Sequence, residues 1–206
     1  MAILKDGAFI GKIGTIVGCT WKGKHYVRRI PVRTAAPTQR EIENRYTFNL
    51  VNEWLKPIHD FVRLGFRNYS PTVSGINAAC SMLHKTALTR DRMNSSIDAS
   101  LVQVSFGELD LPAELQLVQE SDSLLFTWDP QSGLNKGSHD RLIILAYDPE
   151  TGWAKQEFSA SQRYTGSYSL PLLDIPPGGY HVYVAFLGND ACSQTGSRYL
   201  GKILKE

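Results

Sequence analysis

The feature that most constrains this chain is the series of short apolar runs, cut by turn chemistry, that fills it from Ala99 to the C-terminus. Residues 101–106 alternate apolar and polar side chains. Residues 123–128 (SLLFTW) stop at Asp129 and Pro130, and residues 141–147 (RLIILAY) stop at the turn sequence DPETG, residues 148–152. Proline presets φ in that turn and glycine supplies the reversal. Runs at 153–158, 167–172, 180–186 and 199–204 complete the series. Strand-length segments at this spacing predict an all-β sandwich.

Two local features add to that expectation. Trp128 ends an early strand, and the run LDIPPGGY, residues 173–180, leads into the apolar segment 181–186. Residues 99–206 therefore resemble a fibronectin type III or immunoglobulin-like sandwich. In such folds a tyrosine at the start of a late strand pins the preceding corner through its hydroxyl, and Tyr180 fits that place. The resemblance implies a fold and no activity, because such sandwiches host many unrelated roles.

The first 98 residues read differently. Residues 1–36 are strand-like. Ile13, Thr15, Val17, Cys19 and Trp21 alternate with Gly14, Gly18 and Thr20, Lys22-Gly23 suits a tight hairpin turn, and the chain returns from His25 until Pro31 and Pro37 interrupt pairing. Period two puts Arg28 on one face with Tyr26 and Ile30, and Arg29 on the other with His25 and Val27. Thr38 and Glu41 then fit a capping box. Behind it Phe48, Val51, Trp54, Leu55, Ile58, Phe61 and Val62 recur at helical spacing, with Pro57 expected to split the helix near Leu55 and Gly65 to stop it. Residues 74–88 suggest a second, shorter helix or a turn-rich segment. The expected fold class is α+β, mainly β: an N-terminal β-hairpin plus helical segment over 1–98, then the sandwich over 99–206.

Charge is distributed unevenly along the 206 residues. Residues 1–50 hold nine Lys/Arg against three Asp/Glu, whereas residues 101–206 hold seven against thirteen. Such polarity suits head-to-tail contact between copies, or a basic end that meets an anionic partner, and equally a soluble monomer whose charges are simply solvated. The hydrophobic fraction of 42% and charged fraction of 20% are ordinary for a globular protein and disfavour wholesale disorder. Four sequence elements, at 11–31 (GKIGTIVGCTWKGKHYVRRIP), 37–41 (PTQRE), 64–70 (LGFRNYS) and 75–79 (GINAA), resemble a group of small Bacteroidota proteins of unknown function, over nearly the whole length.

No stretch forms a catalytic signature. Gly11, Gly14 and Gly18 do not make a phosphate-cradling loop. Cys80 and His84 stand four apart, which is half of a metal site, and Ser138, His139 and Asp140 are neighbours in a loop where a triad would be assembled in space. Cys19, Cys80 and Cys192 are odd in number and lack ligand spacing. The expectation is a protein that is not an enzyme, with no cofactor and no metal. Its expected interaction residues are Lys12, Trp21, Lys22, Lys24, Tyr26, Arg28, Arg29 and Arg33, and its structural residues Thr38, Glu41, Trp128 and Tyr180. The expected partner is protein, a second copy foremost, through a self-assembling basic end. Nucleic acid bound to the hairpin 12–33 is the alternative, against which stands the arrangement in which Trp21 and Tyr26 pack inward and the charges guard a strand edge. No apolar run long enough for a membrane span or signal peptide occurs. The default expectation is a cytoplasmic protein, with a virus-like particle or signal-independent export left open.

Overall fold

Four short strands open the chain in a computed structural model that describes residues 3–5, 7–32, 34–132, 139–190 and 192–206. Strands β1 (Ile3–Lys5), β2 (Ala8–Ile13), β3 (Ile16–Trp21) and β4 (Lys24–Arg29) pair antiparallel in sequence order. The β3–β4 turn has Lys22 at φ 48° and Gly23 at φ 77°. Left-handed conformation at both central residues matches the right-handed twist of the flanking strands, which explains the Lys-Gly pair. The first compact unit, Met1–Ile42, contains this sheet, and the second is Glu43–Glu206.

The capping box forms as expected. The Thr38 amide donates to Glu41 Oε2 at 2.8 Å, and the Glu41 amide donates to Thr38 Oγ1 at 3.3 Å. Helix α1 (Gln39–Leu55) follows, ends where Pro57 removes an amide donor, and gives way to a 3-10 turn, Lys56–Ile58. Helix α2 (His59–Gly65) then stops at Gly65, and α3 (Gly75–Thr86) is capped by Ser74. Most of the helical stripe is buried: Val51, Trp54, Leu55, Ile58, Phe61 and Val62. Phe48 is the exception; it is exposed and stacks on the His84 ring at 6.2 Å.

A two-residue pair, β5 (Leu88–Thr89) with β6 (Ser96–Ile97), precedes the larger sheets. Strands β7 (Gln116–Gln119), β8 (Ser123–Thr127) and β11 (Ser167–Pro171) make one sheet in the order β11-β8-β7. Strands β9 (Arg141–Asp148), β10 (Trp153–Glu157), β12 (Gly178–Leu187) and β13 (Arg198–Lys205) make the other in the order β10-β9-β12-β13. The fold is α+β and mainly β, and its second unit is a β-sandwich backed by helices.

The continuous apolar run 142–147 has a direct cause, because β9 is buried on both faces. Leu142, Ile144 and Ala146 point into the sandwich with Leu124, Phe126, Val182, Val184 and Phe186. Ile143, Leu145 and Tyr147 point the other way, into a second core with Val51, Phe61, Val62 and Leu83 of the helices. Two phenols tie the layers: Tyr147 donates to the Trp54 carbonyl at 2.9 Å, and Tyr183 to the Ala99 carbonyl at 2.6 Å. Trp128 lies inside the sandwich, donating from Nε1 to the Arg163 carbonyl at 2.6 Å, and Tyr180 donates to the Pro176 carbonyl at 2.8 Å.

Two sequence expectations need correction. The alternating run 101–106 does not form a strand. Its period holds in burial only as far as Val104: Val102 and Val104 are inside and Gln103 outside, but Ser105 is buried and Phe106 exposed, and the backbone bonds to isolated partners instead of a ladder. The second correction concerns the N-terminal sheet. Gly14 and Thr15 form a turn that pairs Ile13 with Ile16, so Ile13 lies on the face opposite Val17, Cys19 and Trp21.

Candidate functional site

Register fixes what each face of the N-terminal sheet carries, because directly paired residues share a face. Lys12 pairs with Val17 and Val17 with Arg28, Cys19 pairs with Tyr26, and Trp21 with Lys24. Lys12, Trp21, Lys24, Tyr26 and Arg28 therefore occupy one face. Lys22 sits in the adjoining turn with its Nζ 4.7 Å from the Trp21 ring centroid, a cation–π contact. Ile13, Ile16 and Arg29 form a row on the opposite face, beside Gly18 with Val27 and Thr20 with His25. Arg28 and Arg29 do separate, yet most of the cations stand on the aromatic face. Arg33 lies outside the described residues.

The sheet has almost no interior. Among the described residues of Met1–Ile42, only Gly18 is buried. A Cβ there would run into the Phe9 carbonyl and ring, so close approach dictates glycine. Ile3, Leu4, Ile13, Tyr26 and Val27 are exposed, and Trp21 is 65% exposed. The inward packing expected of Trp21 and Tyr26 is thereby overturned. Physically the reason is that, among the described residues of Met1–Ile42, no second layer is present to receive them.

The other residues of interest disperse through the second unit. Cys80 is buried in the helical core, where desolvation pushes its thiol pKa up, and His84 faces Phe48 from the same helix. Cys19, Cys80 and Cys192 are unpaired. Ser138 lies outside the described residues, His139 is exposed, and Asp140 is buried against Arg163, with Nη1 to Oδ2 at 3.3 Å. The same guanidinium donates from Nη2 to the Asp110 carbonyl and lies over the Phe186 ring. Nothing in the local sequence marks Arg163 for burial, since its carboxylate partner is 23 residues away. His181 is half-buried, with Nδ1 2.9 Å from the Tyr199 hydroxyl. Burial, then nearby Lys202, lowers its pKa. Among the described residues no three His, Cys, Asp or Glu side chains gather as metal ligands, and no helix is long and apolar enough to cross a membrane.

The feature missed at sequence level is the exposed apolar population of the N-terminal sheet. Its signal was present as apolar residues at both parities of 9–27, which is the pattern of a sheet covered on two sides. No curated protein matches the chain. The model of a family of unknown function, DUF6266, matches residues 8–201, from the second strand of the N-terminal sheet into the last strand of the sandwich, and the chain belongs to that family.

Proposed function

We propose that this chain is a non-enzymatic structural or interaction protein that associates with copies of itself through its basic N-terminal sheet. The observation that carries this reading is a four-stranded sheet with one buried residue among those described and apolar side chains exposed on both faces. Burying one Ile- or Leu-sized side chain stabilises by ~1.5–3 kcal/mol, and small sheets need a covered apolar face to hold together. On this reading the covering surface comes from another molecule. Opposite charge supports a second copy in that place: the first 50 residues carry a surplus of cations and residues 101–206 a surplus of carboxylates. Unlike surfaces meeting head to tail build rings or filaments. The strand orders β11-β8-β7 and β10-β9-β12-β13, with the Tyr180 corner, also support a fibronectin type III-like sandwich, a fold often used for binding.

One observation favours a second reading. Lys12, Lys24 and Arg28 share a face with Trp21 and Tyr26, an arrangement that suits phosphate contact with base stacking. Sedimentation velocity across a wide concentration range, at low and high salt, separates the two. Growth in size that weakens in an Arg28→Glu/Arg29→Glu variant supports self-association. A strict monomer under every condition refutes it. For single-stranded nucleic acid, three phosphate contacts give a slope of log K against log salt near −2; a flat slope or absent binding removes the alternative.

A further inference from the structure

A cavity of about 360 Å³ opens in the second unit, walled by Asn68, Tyr69, Phe106, Glu108, Ser193 and Gln194. One side is aromatic. Tyr69 and Phe106 meet edge to face at 5.2 Å, and Phe66 backs both rings at 6.0 and 6.5 Å. The other side is polar, and its hydrogen-bonding capacity is lopsided.

Gln194 is only 2% exposed, and its Nε2 donates to the carbonyls of Gly65 at 3.2 Å and Phe106 at 3.0 Å. Those two bonds fix the carboxamide, because a flip would set its oxygen against two carbonyl oxygens. Gln194 Oε1 is left buried with no partner among the described residues. Asn68 spends an Nδ2 proton on the Cys192 carbonyl, which leaves Oδ1 as an acceptor. Ser193 Oγ donates to Asp190 Oδ2 at 2.6 Å, which leaves its lone pairs. Bonds from the Ser193 hydroxyl and from the amides of Ser193 and Cys192 hold the Asp190 carboxyl pKa below its ordinary value, so negative charge persists next to the wall. Glu108 adds an exposed carboxylate, and the Tyr69 hydroxyl can turn either way.

Acceptors, negative charge and aromatic faces together select a flat, donor-rich cation and reject anions. A guanidinium has five N–H donors, keeps its charge at any working pH and stacks on aromatic rings. We propose that this cavity receives an arginine side chain from strand β4 of a second copy, seated against Tyr69 and Phe106 with its N–H groups directed to Glu108 and Asn68 Oδ1. Arg28 and Arg29 are both exposed on that strand. The inference rests on the self-association reading and gives that contact a seat.

The test uses the full chain and two small probes, N-acetyl-arginine methylamide and its neutral isostere N-acetyl-citrulline methylamide, followed by NMR shifts of the Tyr69, Phe106 and Gln194 side chains. The arginine probe is expected to shift those signals and to bind about tenfold or more tightly than citrulline, a ratio that Glu108→Gln should abolish. Saturating arginine probe should also dissociate the assembly, and Glu108→Gln should weaken association as Arg28→Glu/Arg29→Glu does. Glu108 is exposed, so an unchanged thermal midpoint checks that the variant folds. If the signals do not move, or citrulline binds equally, the cavity is not a guanidinium site, and self-association stands or falls separately on sedimentation. If the probe binds but assemblies survive both it and Glu108→Gln, β4 is not the occupant and the proposal fails. A chain that is monomeric throughout ends both.

Discussion

Replacing Gly65 by alanine should destabilise the second unit, although helix propensity alone gives the opposite sign. Alanine in a helix is favoured over glycine by about 0.8–1 kcal/mol. Gly65 is the last residue of α2 and does not take the left-handed φ of a glycine cap, so nothing in its own backbone conformation requires glycine. The requirement comes from the segment crossing above it. A Cβ would overlap the Val104 carbonyl and lie 2.9 Å from Ser105 Cα. Relieving that overlap has to push residues 104–106 away, and those residues are tied to the Gly65 carbonyl. Phe106 N donates to it at 2.8 Å, Ser105 Oγ at 3.1 Å and Gln194 Nε2 at 3.2 Å.

Overpacking a tight site costs ~1–3 kcal/mol, and each hydrogen bond stretched forfeits ~0.5–1.5 kcal/mol. Set against the propensity gain, the net loss is about 2–4 kcal/mol. For a unit of this size that lowers the thermal midpoint by about 5–15 °C. Urea unfolding followed by circular dichroism, with the slope m unchanged, reads it directly. A Gly65→Ala variant as stable as the parent, or more stable, would refute the close-approach argument and leave ordinary helix termination as the reason for glycine.

Three further outcomes follow from named groups. Tyr180→Phe deletes the 2.8 Å bond to the Pro176 carbonyl and should cost about 1–2 kcal/mol in urea unfolding, with the fold retained. His181 and His84 both have pKa values lowered chiefly by burial, with Lys202 and Arg90 respectively adding to the effect; Asp148, Asp98 and Glu150 oppose it at His181. The unfolded chain then binds more protons below about pH 6.5, so stability should fall as pH drops through that value toward the folded-state pKa values, and His181→Gln should flatten that slope. Exposed Cys192 should react with a thiol reagent in the native protein, whereas Cys80, buried and raised in pKa, should react only on unfolding; equal rates would contradict the packing of α3.

Legibility in the sequence tracked how local each cause was. The capping box, the break at Pro57, the Lys22-Gly23 turn and the sandwich strands other than β7 each depend on a few neighbouring residues, and those were readable; β7 (Gln116–Gln119), with polar ends and two central apolar residues, was not. Tyr180 was readable because its partner is four residues away. Residues 101–106 misled because the apolar alternation is followed only through Val104; Ser105 is buried by hydrogen bonds to the distant Gly65 and Thr195 carbonyls, and Phe106 is left exposed. Gly65 was rightly read as a stop, but its cause lies 39 residues along the chain, at Val104. Within the candidate surface, parity of Arg28 and Arg29 was legible from β4 alone. The grouping of Lys12 with Arg28 needed the register across three strands, and the turn at Gly14 reverses any count carried straight through it.

The two apolar-rich strand regions of this chain make the same physical demand and receive different answers. In β9, side chains of both parities are apolar, and each set finds a layer: the three-stranded sheet on one side and the helices on the other. In β2, β3 and β4 both parities again carry apolar groups, with Phe9, Ile13, Ile16 and Val27 on one face and Ile10, Val17, Trp21 and Tyr26 on the other. There, among the described residues of Met1–Ile42, no layer covers either face. If copies associate as proposed, a sheet left uncovered within its own unit has its folding free energy and its binding free energy in one quantity. Association should therefore raise the stability of the N-terminal sheet as much as it fills the interface, and amide exchange in β2–β4 should slow with protein concentration while exchange in β9 stays constant.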